Sequence, residues 1–97
     1  MRLRYSAHAR RQIVAIGDYI AQDSPSAAKR VVSRIREAAR LLASFPGIGR
    51  VGRAAGTREW VLSDVPYRIV YEITDDELMI LSVFHTARDR GGEHDPG

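Results

Sequence analysis

The sequence predicts an α+β domain in which a helical hairpin packs on one face of a small, mostly antiparallel sheet. Apolar residues recur at helical spacing through the first half of the chain, and they alternate or run continuously through parts of the second half. The resulting element order is β-α-α-β-β-β, in which strands joined by short turns pair antiparallel. The 97 residues are expected to form one domain over residues 1–90. Residues 91–97 carry no apolar side chain, and we expect them to form a disordered tail.

The chain begins with the pattern of a short strand followed by a helix. Arg2–Tyr5 is the strand, and Ser6 is placed to cap the helix that follows it. The helix is predicted over Ala7–Gln22, because its apolar residues recur at intervals of four, three and four and so share one face. These residues are Ala9, Ile13, Ile16 and Ile20.

A second helix is predicted from Pro25 to about Ser44. Ser24 suits its N-cap, and proline is tolerated at the first helical position, where its missing N–H costs nothing. The helix ends at Phe45–Gly47, since Pro46 cannot continue the hydrogen-bond ladder. Its predicted buried stripe comprises Ala28, Val31, Val32, Ile35, Ala39 and Leu42, and its outer face carries Lys29, Arg30, Arg34, Arg36 and Arg40.

The second half of the chain predicts three strands after a glycine-rich connection. Gly47–Thr57 contains four glycines and is interpreted as a loop, and Arg58–Leu62 is the next strand. Tyr67–Ile73 alternates between apolar and polar residues, the period of a strand. Leu78–Phe84 is nearly all apolar, as expected of a central strand buried on both faces. The acidic segment between these last two strands has the composition of a turn.

The register of the last two strands predicts a cluster of basic groups at one end of the sheet. If pairing begins at the residues that flank the turn, Arg68 lies opposite Val83. His85 is then on the same face, one diagonal step away, and Arg88 follows just past the strand end. We therefore expect the protein to act at this rim.

Charge is distributed unevenly along the chain. Residues 1–58 carry a net charge of +9 and residues 59–97 a net charge of −6, which indicates an acidic or polyanionic partner for the basic part. Cysteine is absent, which excludes disulfides and thiolate metal sites. The sequence contains no apolar run of about 18 residues and no signal peptide, so a cytoplasmic location is expected. No metal or cofactor is predicted.

Four motifs together resemble the RelE/ParE superfamily of toxins from type II toxin–antitoxin systems. They are Phe45–Gly47, Gly56–Glu59, Pro66–Tyr71 and Val83–Asp89, and the match extends over roughly residues 2–90. The resemblance implies the RelE/ParE-like toxin fold. It also implies a cytoplasmic toxin, held in a hetero-oligomer by an antitoxin whose acidic or amphipathic C-terminal segment wraps around it.

The resemblance leaves two targets open, since ParE-like members poison DNA gyrase and RelE-like members cut mRNA in the ribosomal A site. RelE-like nucleases typically add lysines or a glutamate before the strand that contains Arg68, and an aromatic residue near the C-terminus. Here residues 46–57 contain no acid and no lysine, and no aromatic residue follows Phe84. A ParE-like gyrase poison, which is not an enzyme, is therefore the first hypothesis. A metal-independent, ribosome-dependent endoribonuclease is the alternative, and a decayed, inert antitoxin-binding module is a third.

Each candidate residue has a functional and a structural interpretation. As a nuclease the protein would use Arg68, His85 and Arg88, because such cleavage needs a titratable group and cations at the phosphate. As a binding protein it would contact its partners through Arg30, Arg34, Arg58, Arg68, His85 and Arg88. The structural alternatives are a hydrogen-bonded His85 at the sheet end, an ion pair from Arg68 to Glu59 or Glu72, and a contact of Arg58 with Trp60.

Overall fold

A computed structural model describes residues 1–87 of the chain, so Arg88 and the predicted tail lie outside the described residues. One five-stranded sheet carries two α-helices on one face. The helices are α1 (Ala7–Ala21) and α2 (Pro25–Ser44), and Pro46–Ile48 forms a 3-10 turn. The strands are β1 (Arg2–Tyr5), β2 (Arg50–Val51), β3 (Thr57–Val61), β4 (Tyr67–Ile73) and β5 (Glu77–His85).

The sheet has the order β1-β5-β4-β3-β2. Only β1 pairs parallel with its neighbour among the described strands, because both helices lie between it and the later strands along the chain. The other pairs are antiparallel. The predicted fold class, an α+β domain with a helical hairpin on a mostly antiparallel sheet, is confirmed.

Both predicted helix starts are confirmed by their capping hydrogen bonds. The Ser6 hydroxyl accepts a bond of 3.0 Å from the backbone N–H of Ala9, and the Ser24 hydroxyl accepts one of 3.1 Å from Ala27. Each cap satisfies a backbone donor that the helix itself leaves unpaired. Pro25 occupies the start of α2 as expected.

The core lies between the helical hairpin and the sheet. On the helix side it is made of small and branched residues, and on the sheet side of aromatic and branched ones. Its fully buried members include Ala9, Ile35, Ala39, Leu42, Ile69, Tyr71, Leu78 and Ile80. The predicted stripe of α2 thus faces inward, and its cationic residues are left to its two outer edges.

The connection predicted as a loop over Gly47–Thr57 is more ordered than expected. It contains part of the 3-10 turn and the short strand β2. The hydroxyl of Tyr71 in β4 donates to the carbonyl of Pro46 at 2.7 Å and accepts from the N–H of Gly49 at 3.0 Å. The buried tyrosine therefore fixes the start of the connection against the sheet.

The predicted register of β4 and β5 is right at the turn and wrong farther along. Ile73 pairs with Leu78 as expected, but a bulge on β5 leaves Leu81 without a partner on β4. An extra residue in one strand reverses the face of every side chain beyond it. Arg68 consequently lies opposite Phe84, not Val83, and His85 lies on the other face of the sheet from Arg68.

Two side chains of the α1 region hold the bulge in place. β1 ends at Tyr5, so β5 has no strand neighbour on that side beyond Ile80. Instead the Ser6 hydroxyl donates to the Leu81 carbonyl at 3.1 Å, and the Gln12 carboxamide oxygen accepts from the Val83 N–H at 2.7 Å. The Leu81 carbonyl and the Val83 N–H are thus hydrogen-bonded to side chains in place of a neighbouring strand.

Candidate functional site

Arg68 is part of a nearly buried ion pair on the sheet face that points away from the helices. Its guanidinium lies 3.7 Å from the Glu59 carboxylate, and the two side chains are only 13% and 8% exposed. The Phe84 ring lies 6.0 Å from the same guanidinium, and Glu59 also accepts from the Arg53 N–H. The predicted structural contact between Arg68 and Glu59 is confirmed. Breaking such a pair by removing one partner leaves a buried charge uncompensated.

His85 lies at the end of β5 on the helix-facing side. Its ring packs edge-on against Tyr67, with ring centroids 5.2 Å apart, and its Nδ1 accepts from the Ala87 N–H at 3.2 Å. A neutral imidazole that accepts at Nδ1 carries its proton on Nε2. His85 therefore has the structural contacts expected of a histidine at a sheet end. The predicted single cluster of Arg68 and His85 is not formed, because the bulge separates the two residues by the thickness of the sheet.

Arg58 anchors the connection between α2 and β3. Its guanidinium donates to the Gly49 carbonyl at 2.7 Å and lies 3.5 Å from the Gly47 carbonyl. Arg58 and Tyr71 together therefore bind both the N–H and the carbonyl group of Gly49. Arg58 thus has a structural role at this position, in a contact different from the predicted one with Trp60.

A groove between α2 and β3 is a concave feature that sequence reasoning missed. It encloses about 510 Å³, with Ala38, Leu41, Trp60 and Leu62 among its lining residues. Trp60 and Val61 line both this groove and a neighbouring one, and Ile48 lines only the neighbouring one. We call Leu41, Ile48, Trp60 and Val61 the α2–β3 surface. Leu41, Ile48 and Val61 are between 41% and 46% exposed. Val61 pairs with Arg68, so its side chain borders the groove from the face of β3 that points away from the helices.

The sequence holds a weak signal for this surface. Leu41 falls outside the buried stripe of α2, and Val61 follows Trp60 on a strand whose inward alternation leaves it exposed. Single exposed apolar residues are common on protein surfaces. Only the packing of α2 beside β3 brings Leu41 and Val61 to the same groove.

Arg34 closes one end of the groove through an ion-pair network. Its guanidinium forms a bidentate contact with Asp64, one bond of which is 2.8 Å, and another bond of 2.8 Å to Glu37. Hydrogen bonding from Arg34 lowers the pKa of the Asp64 carboxyl. Arg30 lies one turn earlier on the same edge of α2 and is exposed. At this end of the α2–β3 surface the charge of Arg34 is compensated by two carboxylates, and Arg30 is the exposed cation.

Residues 1–87 contain no group of three or more acidic or histidine side chains arranged to hold a metal ion. Within the same range, neither helix combines the length and apolar character needed to cross a bilayer.

The sequence matches the family described as "ParE toxin of type II toxin-antitoxin system, parDE" over residues 3–90. Among curated proteins, "Putative toxin Y4kP" of Sinorhizobium fredii is 49% identical over 87% of this chain and 86% of its own length. "Toxin RelE2" of Caulobacter vibrioides is 42% identical over 78% of this chain and 84% of its own length.

Solved structures agree with these matches. A chain of the chromosomal ParDE toxin–antitoxin system from P. aeruginosa superposes with a TM-score of 0.78 at 26% identity, covering 88% of this chain and 95% of that one. The isolated E. coli RelE toxin superposes with a TM-score of 0.66 at 14% identity, covering 96% of each chain, and this second likeness concerns the fold alone. The chain therefore belongs to the ParE toxin family, within the RelE/ParE superfamily, and is a toxin of a type II toxin–antitoxin system.

Proposed function

We propose that this toxin poisons DNA gyrase by trapping the enzyme on cleaved DNA, and that it acts as a binding protein without catalytic groups of its own. The observation that carries the proposal is the separation of Arg68 and His85 on opposite faces of the sheet. General acid–base cleavage of RNA needs its titratable group and its phosphate-binding cation within reach of one phosphodiester. The ParE family match supports the same conclusion.

The gyrase proposal is tested by incubating the purified toxin with gyrase and supercoiled plasmid. We expect loss of supercoiling activity and a rise in linear DNA when the reaction is stopped with detergent and protease. Toxin premixed with its antitoxin is the control and should give neither effect. An unchanged level of cleaved DNA at toxin concentrations that stop cell growth would refute the proposal.

The α2–β3 surface is the proposed binding site for the antitoxin. Its apolar residues favour the apolar side of an amphipathic segment, and Arg30, which is exposed at one end of it, favours a carboxylate. The predicted partner contact at Arg34 would require a carboxylate of the antitoxin to join or replace its bonds to Asp64 and Glu37. The solved relative from P. aeruginosa belongs to a ParDE toxin–antitoxin system, which supports a protein partner. Arg58, Arg68, His85 and Arg88 remain candidate contacts of the wider interface. The first three have internal contacts, and Arg88 lies outside the described residues.

Antitoxin binding is tested by placing a charge on the proposed surface. Leu41→Glu should weaken binding at least tenfold, because a truncation or charge at the centre of such an interface typically costs more than about 1–2 kcal/mol. Val14→Glu is the matched control, since Val14 is an exposed apolar residue of α1 away from the surface. Equal loss of affinity in the two variants, measured by calorimetry, would overturn the assignment.

Metal-independent mRNA cleavage is the alternative function. One observation favours it: the 42% identical relative is named "Toxin RelE2". If this function is correct, His85→Gln should lower ribosome-dependent cleavage by about 10²–10⁴-fold, the usual effect of removing a general base. Unchanged toxicity and unchanged mRNA in cells that express His85→Gln would exclude a catalytic role for His85.

A further inference from the structure

The two outer edges of α2 differ in character. One edge carries Arg30, Arg34 and Leu41 and borders the α2–β3 surface. The other carries Lys29, Arg36 and Arg40, which are seven and four residues apart and so lie on one side of the helix. With a rise of about 1.5 Å per residue, these three cations extend over roughly 16 Å along α2.

A fourth cation, Arg10, lies near this edge because Tyr5 of β1 contacts both Arg10 and Arg36. The guanidinium of Arg36 lies over the Tyr5 ring at 5.6 Å from its centroid. Arg10, from the first turn of α1, donates through Nε to the Tyr5 carbonyl at 3.4 Å. Burial raises the pKa of Tyr5, and the charges of Arg36 and Arg40 oppose that rise, which is consistent with both groups lying near its ring. We call Arg10, Lys29, Arg36 and Arg40 the basic edge.

The basic edge contrasts with Arg2, Arg4, Arg34 and Arg68, each of which lies next to a carboxylate. Within residues 1–87, no salt bridge joins any of its four members to a carboxylate, and all four are exposed. Arg2 and Arg4, by contrast, pair with Asp76 and Glu77 on the opposite side of the sheet's edge strand. The basic edge is thus a line of uncompensated positive charge.

We propose that the basic edge binds the phosphate backbone of duplex DNA. Three of its four groups are guanidiniums, which suit phosphate oxygens. Arg36 and Arg40 are about 6 Å apart along the helix axis, roughly two nucleotides of one strand at 3.4 Å each. An apolar groove lined by Ala28 and Val32 adjoins Lys29 and Arg36, so an acidic peptide is the competing ligand that a comparison with polyglutamate tests. This inference rests on the proposed function, in which the toxin acts on gyrase that is holding DNA.

The experiment measures binding of the purified toxin to a fluorescein-labelled 20-base-pair duplex by anisotropy, over a range of salt concentrations. Four phosphate contacts predict a slope of log K against log salt of about −3.6, so that affinity falls by about 150-fold between 50 and 200 mM salt. The double variant Arg36→Gln/Arg40→Gln should reduce the slope by about 1.8 and weaken binding at 50 mM at least tenfold. The double variant Arg2→Gln/Arg4→Gln makes the same change in net charge and should leave the slope unchanged.

Each outcome decides the proposal. Equal losses in the two double variants would show a general charge effect and overturn it. Absence of duplex binding at 50 mM salt, or tighter binding of single-stranded RNA or of polyglutamate than of the duplex, would also overturn it. Retained antitoxin binding by both variants excludes misfolding as the cause. The gyrase assay is independent, since a toxin that binds DNA without raising cleaved plasmid would contradict the proposed function and leave the DNA site intact.

Discussion

Replacing Tyr71 by phenylalanine tests whether one buried hydroxyl holds the connection between α2 and β3. The hydroxyl donates to the Pro46 carbonyl at 2.7 Å and accepts from the Gly49 N–H at 3.0 Å, and the residue is fully buried. The variant keeps the ring and leaves both backbone groups without their partner. At about 1 kcal/mol for each buried group, at the low end of the usual range, the free energy of unfolding should fall by about 2 kcal/mol. For a domain of this size that corresponds to a fall in Tm of about 8–16 °C.

Thermal unfolding followed by circular dichroism measures the effect, with Val14→Ala as the control. Val14 is 61% exposed, so its variant should stay within about 0.5 kcal/mol of the wild type. A Tyr71→Phe protein that unfolds within 2 °C of the wild type would refute the reasoning, because water would then have replaced the hydroxyl without cost.

The pH dependence of the same variant gives a second measurement. Burial raises the pKa of Tyr71 above its ordinary value of 10.0, so the folded state favours the protonated phenol. The stabilisation is therefore complete below pH 10.0 and is lost as pH rises through the folded pKa. The Tm difference between the wild type and Tyr71→Phe should shrink above that pH, and a constant difference up to the alkaline limit would contradict the assignment.

Three further predictions concern other local contacts. Gly49→Ala should cost about 1–3 kcal/mol, because its Cβ would lie 2.4 Å from a buried tyrosine hydroxyl, whereas Gly47→Ala enters open space and should be neutral in the same melts. Ser6→Ala should cost about 2 kcal/mol against about 1 for Ser24→Ala, because Ser6 both caps a helix and bonds the bulge; equal chemical-denaturation midpoints would argue against the second role. Hydrogen bonding from Arg34 lowers the pKa of Asp64 below 3.8, so the wild type should lose stability as pH falls through that pKa. Asp64→Asn should not show this loss, and parallel acid-unfolding curves for the two proteins would disprove the prediction.

The elements and their order could be predicted because they depend on signals a few residues apart. The caps at Ser6 and Ser24, the start of α2 at Pro25 and the alternation of β4 were all confirmed. The pairing of Ile73 with Leu78 also followed from the turn between them. For the same reason the Gly47–Thr57 connection was predicted only as a loop, since its order comes from Tyr71, 22 residues away from Gly49.

By itself, the sequence determined the fold class, the helical hairpin, the family resemblance and the supply of arginines. The tertiary structure decided which arginines lie together. The bonds of Ser6 and Gln12 to β5 join residues 75 and 71 positions apart, and they hold the extra residue that sends Arg68 and His85 to opposite faces. No local pattern encodes such a bulge, because its energy comes from pairing backbone groups with side chains that only the finished fold brings within reach.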